Sequence, residues 1–162
     1  MTFLEKTVRD SAIIATAVFL NDVEKIDLNQ VTILWAGLFY GFWMADKPIV
    51  QQDTAKNIGD VITLIKPDNA YLFIEAFWSV LNSKWHEIDR IRTDKFYLLM
   101  REIIHASFQL LDDRKWDIKN VKKMMDIYTR YCLDTSKTHI PAGIPSHVIS
   151  CFHDELSKIV ED

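Results

Sequence analysis

The chain has 162 residues, 49% of them apolar, with four Gly, four Pro and a formal net charge of -4. That is the length of one ordinary domain with its own core, too apolar for disorder and too poor in turn formers for a small β-sandwich. The negative balance argues against nucleic-acid binding through the overall field, although charge is segregated: residues 84–123 hold ten Lys/Arg against seven Asp/Glu and form the only basic region. Two cysteines, Cys132 and Cys151, are too few for a disulfide framework. Glu5, Lys6, Arg9 and Asp10 interrupt the first apolar stretch, so no signal peptide is read there and a reducing compartment, cytosol or nucleus, is expected.

In chain order, residues 3–20 read as a helix with Phe3, Leu4, Val8, Ile13, Ile14, Ala17, Val18 and Leu20 apolar, closed by Asn21-Asp22. A second helix starts near Asp27. From Leu28 to Ala45 no residue is charged and apolar side chains fall on every face, which predicts a helix surrounded by others. At about 27 Å this stretch approaches a membrane span. Asn29, Gln30, Thr32 and two glycines dilute it, and the amphipathy of the other segments favours a buried central helix instead.

Asp46-Lys47-Pro48 breaks that helix and opens a third, with Asp46 available as a cap and Pro48 suited to the first turn. Thr54, Ile58, Val61, Ile62 and Ile65 form its inner face, and Pro67-Asp68-Asn69 stops it and caps a fourth helix carrying Phe77, Trp78 and Leu81. After a turn over residues 85–90 comes the most regular segment, with Tyr97, Met100, Ile104, Phe108 and Leu111 in one stripe. A sixth helix from Asp117 to Cys132 turns Val121, Met124, Met125, Tyr128 and Cys132 inward. Residues 133–146 read as the longest loop, and Ser146 as the cap of a last helix with Ile149, Phe152, Leu156 and Ile159 inside. The expected fold is a single all-α domain over residues 1–162. About seven antiparallel helices stack as hairpins, either as a HEAT-like α-solenoid or as an irregular bundle.

Signatures of chemistry are absent from the sequence: no phosphate loop, dinucleotide fingerprint, nucleophile elbow or zinc-protease motif. His86-Glu87 reads as a solvated helix end. His139, His147, Cys151 and His153, with Cys132 upstream, are the nearest approach to a metal cluster. Cys151 and His153 stand about 200° apart on a helix, so buried thiols are the simpler reading and neither a metal nor a cofactor is expected. Trp35, Trp43 and Trp78 sit at core positions, while Trp85 and Trp116 lie beside turns and basic residues where a surface could recognise a partner. Lys84, Arg90, Arg92, Lys95 and Arg101 could present a patch to phosphates. Asp89, Asp94 and Glu102 interleave with them, so ion pairing on a solvated face explains the pattern equally well.

The run Leu34-Trp35-Ala36-Gly37-Leu38-Phe39-Tyr40-Gly41-Phe42-Trp43-Met44-Ala45-Asp46-Lys47-Pro48 closely resembles a signature of the eukaryotic ribosomal RNA processing protein 1 family. Phe77-Trp78, Trp85 and the block from Ile88 to Arg101 resemble its second hallmark, and Gly143-Ile144-Pro145-Ser146-His147 a weaker third. This resemblance implies a non-enzymatic helical-repeat protein of the nucleolus, a scaffold in ribosomal RNA processing and assembly of the large (60S) subunit. It implies Brix-domain and WD-repeat assembly factors as partners, possible contact with precursor ribosomal RNA, and neither a membrane nor a small-molecule substrate. The alternative is a generic helical-repeat adaptor for proteins alone. Partner or RNA contact is assigned to Asp46, Lys47, Pro48, Lys84, Trp85, Asp89, Arg90, Arg92, Lys95 and Arg101.

Overall fold

The computed structural model describes residues 3–160. Among them are seven α-helices and no strand: α1 (Phe3–Asp22), α2 (Leu28–Trp43), α3 (Pro48–Leu64), α4 (Pro67–Lys84), α5 (Thr93–Asp113), α6 (Ile118–Tyr128) and α7 (Gly143–Val160). A 3-10 turn, Trp85–Glu87, follows α4, and a π-helical turn, Thr129–Leu133, prolongs α6. Each helix packs chiefly on the next but one. Helices α1, α3, α5 and α7 form one layer and α2, α4 and α6 the other, the order expected of stacked hairpins.

Local chemistry sets most helix ends. Asp27 and Gln30 make a reciprocal capping box at the start of α2: Gln30 N–H donates to Asp27 Oδ1 at 2.9 Å, and Asp27 N–H to Gln30 Oε1 at 3.0 Å. The Asp117 carboxylate accepts from Lys119 N–H at 3.0 Å to start α6. Helices α3 and α4 begin with Pro48 and Pro67 at their first turns, but the side-chain capping expected of Asp46 and of Pro67-Asp68-Asn69 does not occur. Lys47 and Lys66 hold the cap positions without a side-chain bond. Asn69 is buried instead and donates from Nδ2 to Leu20 O at 2.6 Å, tying α4 to the end of α1.

The two layers meet over an aromatic core. Trp35 lies against Phe73 and Phe77, at centroid distances of 4.6 and 4.9 Å, and its Nε1–H donates to Phe73 O at 2.7 Å. Trp78 packs edge-on against Tyr128, whose hydroxyl donates to Ser107 Oγ at 3.1 Å on α5. Burying a side chain of this size contributes about 1.5–3 kcal/mol, so these rings fix the register of α2, α4, α5 and α6.

Three expectations change. Helix α2 is not surrounded: Val31, Trp35, Leu38, Phe39 and Phe42 are buried, yet Ile33, Tyr40 and Met44 are 73%, 46% and 53% exposed, because α2 occupies the end of its layer. Trp43, expected in the core, is only half-buried for the same reason. The last helix begins at Gly143 rather than Ser146, shortening the loop to residues 134–142, and its inner face runs through Ile144, Val148, Cys151 and Glu155 while Ile149 is 67% exposed. In α1, Ile13 and Leu20 are buried but Val8, Ile14 and Val18 are exposed; the side chains of Phe3 and Leu4 lie outside the described residues.

Candidate functional site

The segments 46–48 and 84–95, far apart in sequence, converge at the C-terminal end of α2. Lys95, on the first turn of α5, is 6% exposed, and its ammonium donates to Trp43 O and, at 2.9 Å, to Ala45 O. A cation at the last carbonyls of a helix complements its dipole. Burial holds the Lys95 pKa below the usual lysine range, opposed by the nearby Asp46 carboxylate. Gln51 completes the joint, its Nε2 donating to Ala45 O at 3.0 Å and Asp46 O at 3.2 Å. The backbone of the α2–α3 junction is therefore held from inside by α3 and α5, while Asp46, Lys47 and Pro48 are exposed outside.

Beside the junction, cations lie over aromatic faces. The Arg92 guanidinium stands 5.0 Å from the Trp43 ring centre and pairs with the Asp89 carboxylate. Asp89 also accepts from Arg92 N–H at 3.0 Å, bending the chain into the turn that precedes α5. Lys84 Nζ stands 4.9 Å from the Tyr40 ring centre and donates to the Tyr40 hydroxyl at 2.8 Å, while that hydroxyl donates to Glu87 Oε2 at 3.2 Å. The Tyr40 hydrogen bond is the main influence raising the Lys84 pKa, against burial and with help from Glu87. Arg90 is exposed and makes no hydrogen bond or ion pair with any described residue, and neighbouring Ile91 is 91% exposed.

Of the ten residues assigned from sequence, eight belong to this edge or its frame: Asp46, Lys47, Pro48, Lys84, Asp89, Arg90, Arg92 and Lys95. Two do not. Trp85 is half-buried against Tyr97, with ring centres 5.7 Å apart, and presses on Gly143, where a Cβ would stand 3.1 Å from the indole. Arg101 faces α7 and donates to Glu155 Oε1 at 2.7 Å. Lys95 is a buried strut rather than a surface cation. Sequence reasoning missed Tyr40 and Trp43; nothing in an uncharged stretch of 18 residues separates its exposed rings from its buried ones. Trp116 donates from Nε1 to Asp112 Oδ1 at 2.9 Å and flanks Phe108 at the α5–α6 turn.

The other residues singled out for chemistry are dispersed. His147 stacks on Tyr97 with centroids 4.3 Å apart and its Nε2 lies 3.0 Å from Tyr97 O; burial lowers its pKa. Cys132 and Cys151 are buried thiols whose pKa values burial raises. Among the described residues no three His, Cys, Asp or Glu side chains gather to hold a metal, and no helix is long and apolar enough to cross a membrane.

Fold and edge together define a class: an all-α stack of helical hairpins whose surface feature is an aromatic and charged rim at the end of one layer. The chain belongs to the nucleolar protein Nop52 family, whose sequence profile matches residues 1–162. It is 35% identical over 132 residues to the human protein named "Ribosomal RNA processing protein 1 homolog A", covering 81% of this chain and 28% of that one. The human homolog B is 30% identical over 161 residues, covering 96% and 21%, and a Dictyostelium discoideum homolog is 38% identical over 92 residues, covering 56% and 19%. The chain thus spans roughly a fifth to three tenths of the length of these relatives.

Proposed function

We propose that this chain is a non-enzymatic nucleolar scaffold in ribosomal RNA processing and in assembly of the large (60S) ribosomal subunit. The observation that carries the reading is the match of the whole chain to a family described as nucleolar, with relatives named for ribosomal RNA processing. The rim at the end of α2 supports it in kind. Framed from inside and bearing rings and cations, it suits holding partners such as Brix-domain and WD-repeat assembly factors. Arg90 and Lys47 are the side chains best placed to touch RNA phosphates, as positioning contacts rather than base readout.

A generic protein adaptor is the second reading, and one observation favours it: Arg92 and Lys84 are already engaged by Asp89 and Glu87. Affinity purification from the protein's own cells, with mass spectrometry of partners and probing of copurified RNA, tests both. Large-subunit assembly factors with unprocessed ribosomal RNA are the expected result; unrelated proteins without the precursor would sink the assigned role. Salt separates direct RNA contact from protein contact, because each neutralised phosphate adds about 0.7–0.9 to the slope of log affinity against log salt.

A further inference from the structure

A helix inside a layered stack has neighbours on both sides of its layer, and α2 has one on a single side. It packs on α4, whereas α1 packs on α3 in the other layer and touches α2 only lightly. The face of α2 turned from the core carries Ile33, Gly37, Tyr40 and Met44, a spacing of four, three and four residues that makes one helical stripe. Between α1 and α2 runs an open groove of about 570 Å³, walled by Val8 and Ala12 on one side and Leu34 and Met44 on the other, with Phe42 and Ile58 at its floor. The outer side of α1 is apolar too: Val8, Ile14 and Val18 are 64%, 64% and 55% exposed. Exposed apolar surface of this kind marks an interaction site.

Two glycines sharpen the case. Gly37 and Gly41 line the groove, and no heavy atom lies within 4 Å of where a Cβ would stand at either. Glycine is a poor helix former, so these positions weaken α2 although a side chain at either would meet no neighbour. What they do is keep the groove open. Its charge is equally plain: α2 has no charged side chain, and at the rim Arg9 donates from Nε to Gly41 O at 3.1 Å with no carboxylate in ion-pair distance among the described residues.

We propose that the groove receives an amphipathic α-helix of a partner protein, lying on α2 where the next member of that layer would stand. Its apolar residues recur at three- and four-residue spacing, and an acidic residue meets Arg9. A second copy of this chain fits worse, since a two-fold contact would offer the same neutral wall and a second unmatched Arg9. Nucleic acid would find one cation there. The proposal is independent of the ribosomal reading.

The test places a photo-crosslinking amino acid at Ile33 of the full-length protein in its own cells and identifies the crosslinked peptide by mass spectrometry. The expected product is a segment of another protein with helically spaced apolar residues and a nearby Asp or Glu. Its yield should fall at least tenfold in Gly37→Leu, which fills the groove while the Tm stays equal or rises, and in Arg9→Glu, which reverses the charge at the rim. The proposal is overturned by a peptide of this same chain, by crosslinks to RNA or lipid alone, by a partner peptide without helical periodicity, by no crosslink at all, or by a yield indifferent to both variants.

Discussion

Replacing Glu155 by Gln keeps the side-chain shape and removes a charge that ties α7 to α5. Glu155 is 2% exposed; its Oε1 accepts from Arg101 at 2.7 Å and Lys158 at 2.8 Å, and Oε2 lies 3.1 Å from His105 Nδ1. Breaking one side of a fully buried ion pair costs about 3–5 kcal/mol. Here the Arg101 and Lys158 side chains are 36% and 56% exposed and rehydrate once released, so the loss is nearer that of one charged hydrogen bond, about 2 kcal/mol. At about 2–4 °C per kcal/mol for a chain of this size, the Tm of Glu155→Gln should fall by about 4–8 °C near neutral pH. The pH dependence has a definite sign. Burial alone would raise the Glu155 pKa, but Lys158 and Arg101 more than offset it and hold it below the ordinary 4.5. The stabilisation is therefore complete above that ordinary value and is lost as pH falls through the lowered folded one. Thermal melts of both proteins from neutral to acid pH, with a double-mutant cycle through Arg101→Met, measure it. Coincident melts at neutral pH, a gap that widens on acidification, or zero coupling would refute the reasoning.

Three further outcomes are expected. Lys95→Met keeps the buried stem but leaves the Trp43 carbonyl without its donor and the Ala45 carbonyl with Gln51 alone, costing about 1–3 kcal/mol, read by chemical denaturation. Thr54 is 1% exposed and its Oγ1 has no hydrogen-bond partner among the described residues, so Thr54→Val should stabilise by about 1 kcal/mol in the same assay. Arg90→Glu should leave the Tm within about 1–2 °C, since the side chain is exposed and unpaired, yet reduce recovery of precursor RNA on purification. Unchanged recovery would move any RNA contact elsewhere.

The resemblance carried the family, and local pattern carried the helices. Asp27, Pro48, Pro67 and Asp117 mark helix starts through chemistry acting within a turn, which is why four of the boundaries stand within about one residue of expectation. The last helix escaped because Gly143 opens it ahead of Pro145, and punctuation of that kind reads as loop.

What sequence alone determined was the number and kind of elements and the sense of the amphipathic ones, as in α6 and the turn that prolongs it, where Met124, Tyr128 and Cys132 point inward and Lys122, Lys123 and Arg130 outward. Those features depend on contacts a few residues apart. The rim and the groove depend on which helices end up beside one another. A 16-residue apolar α2 looks the same in sequence whether it sits inside a layer or at its end. Only the stacking order leaves Tyr40 and Met44 exposed and Trp43 half-buried, turns Lys95 from a surface cation into a buried strut, and brings Arg92 over an indole 49 positions away. Burial is a property of neighbours, and neighbours are decided by tertiary packing.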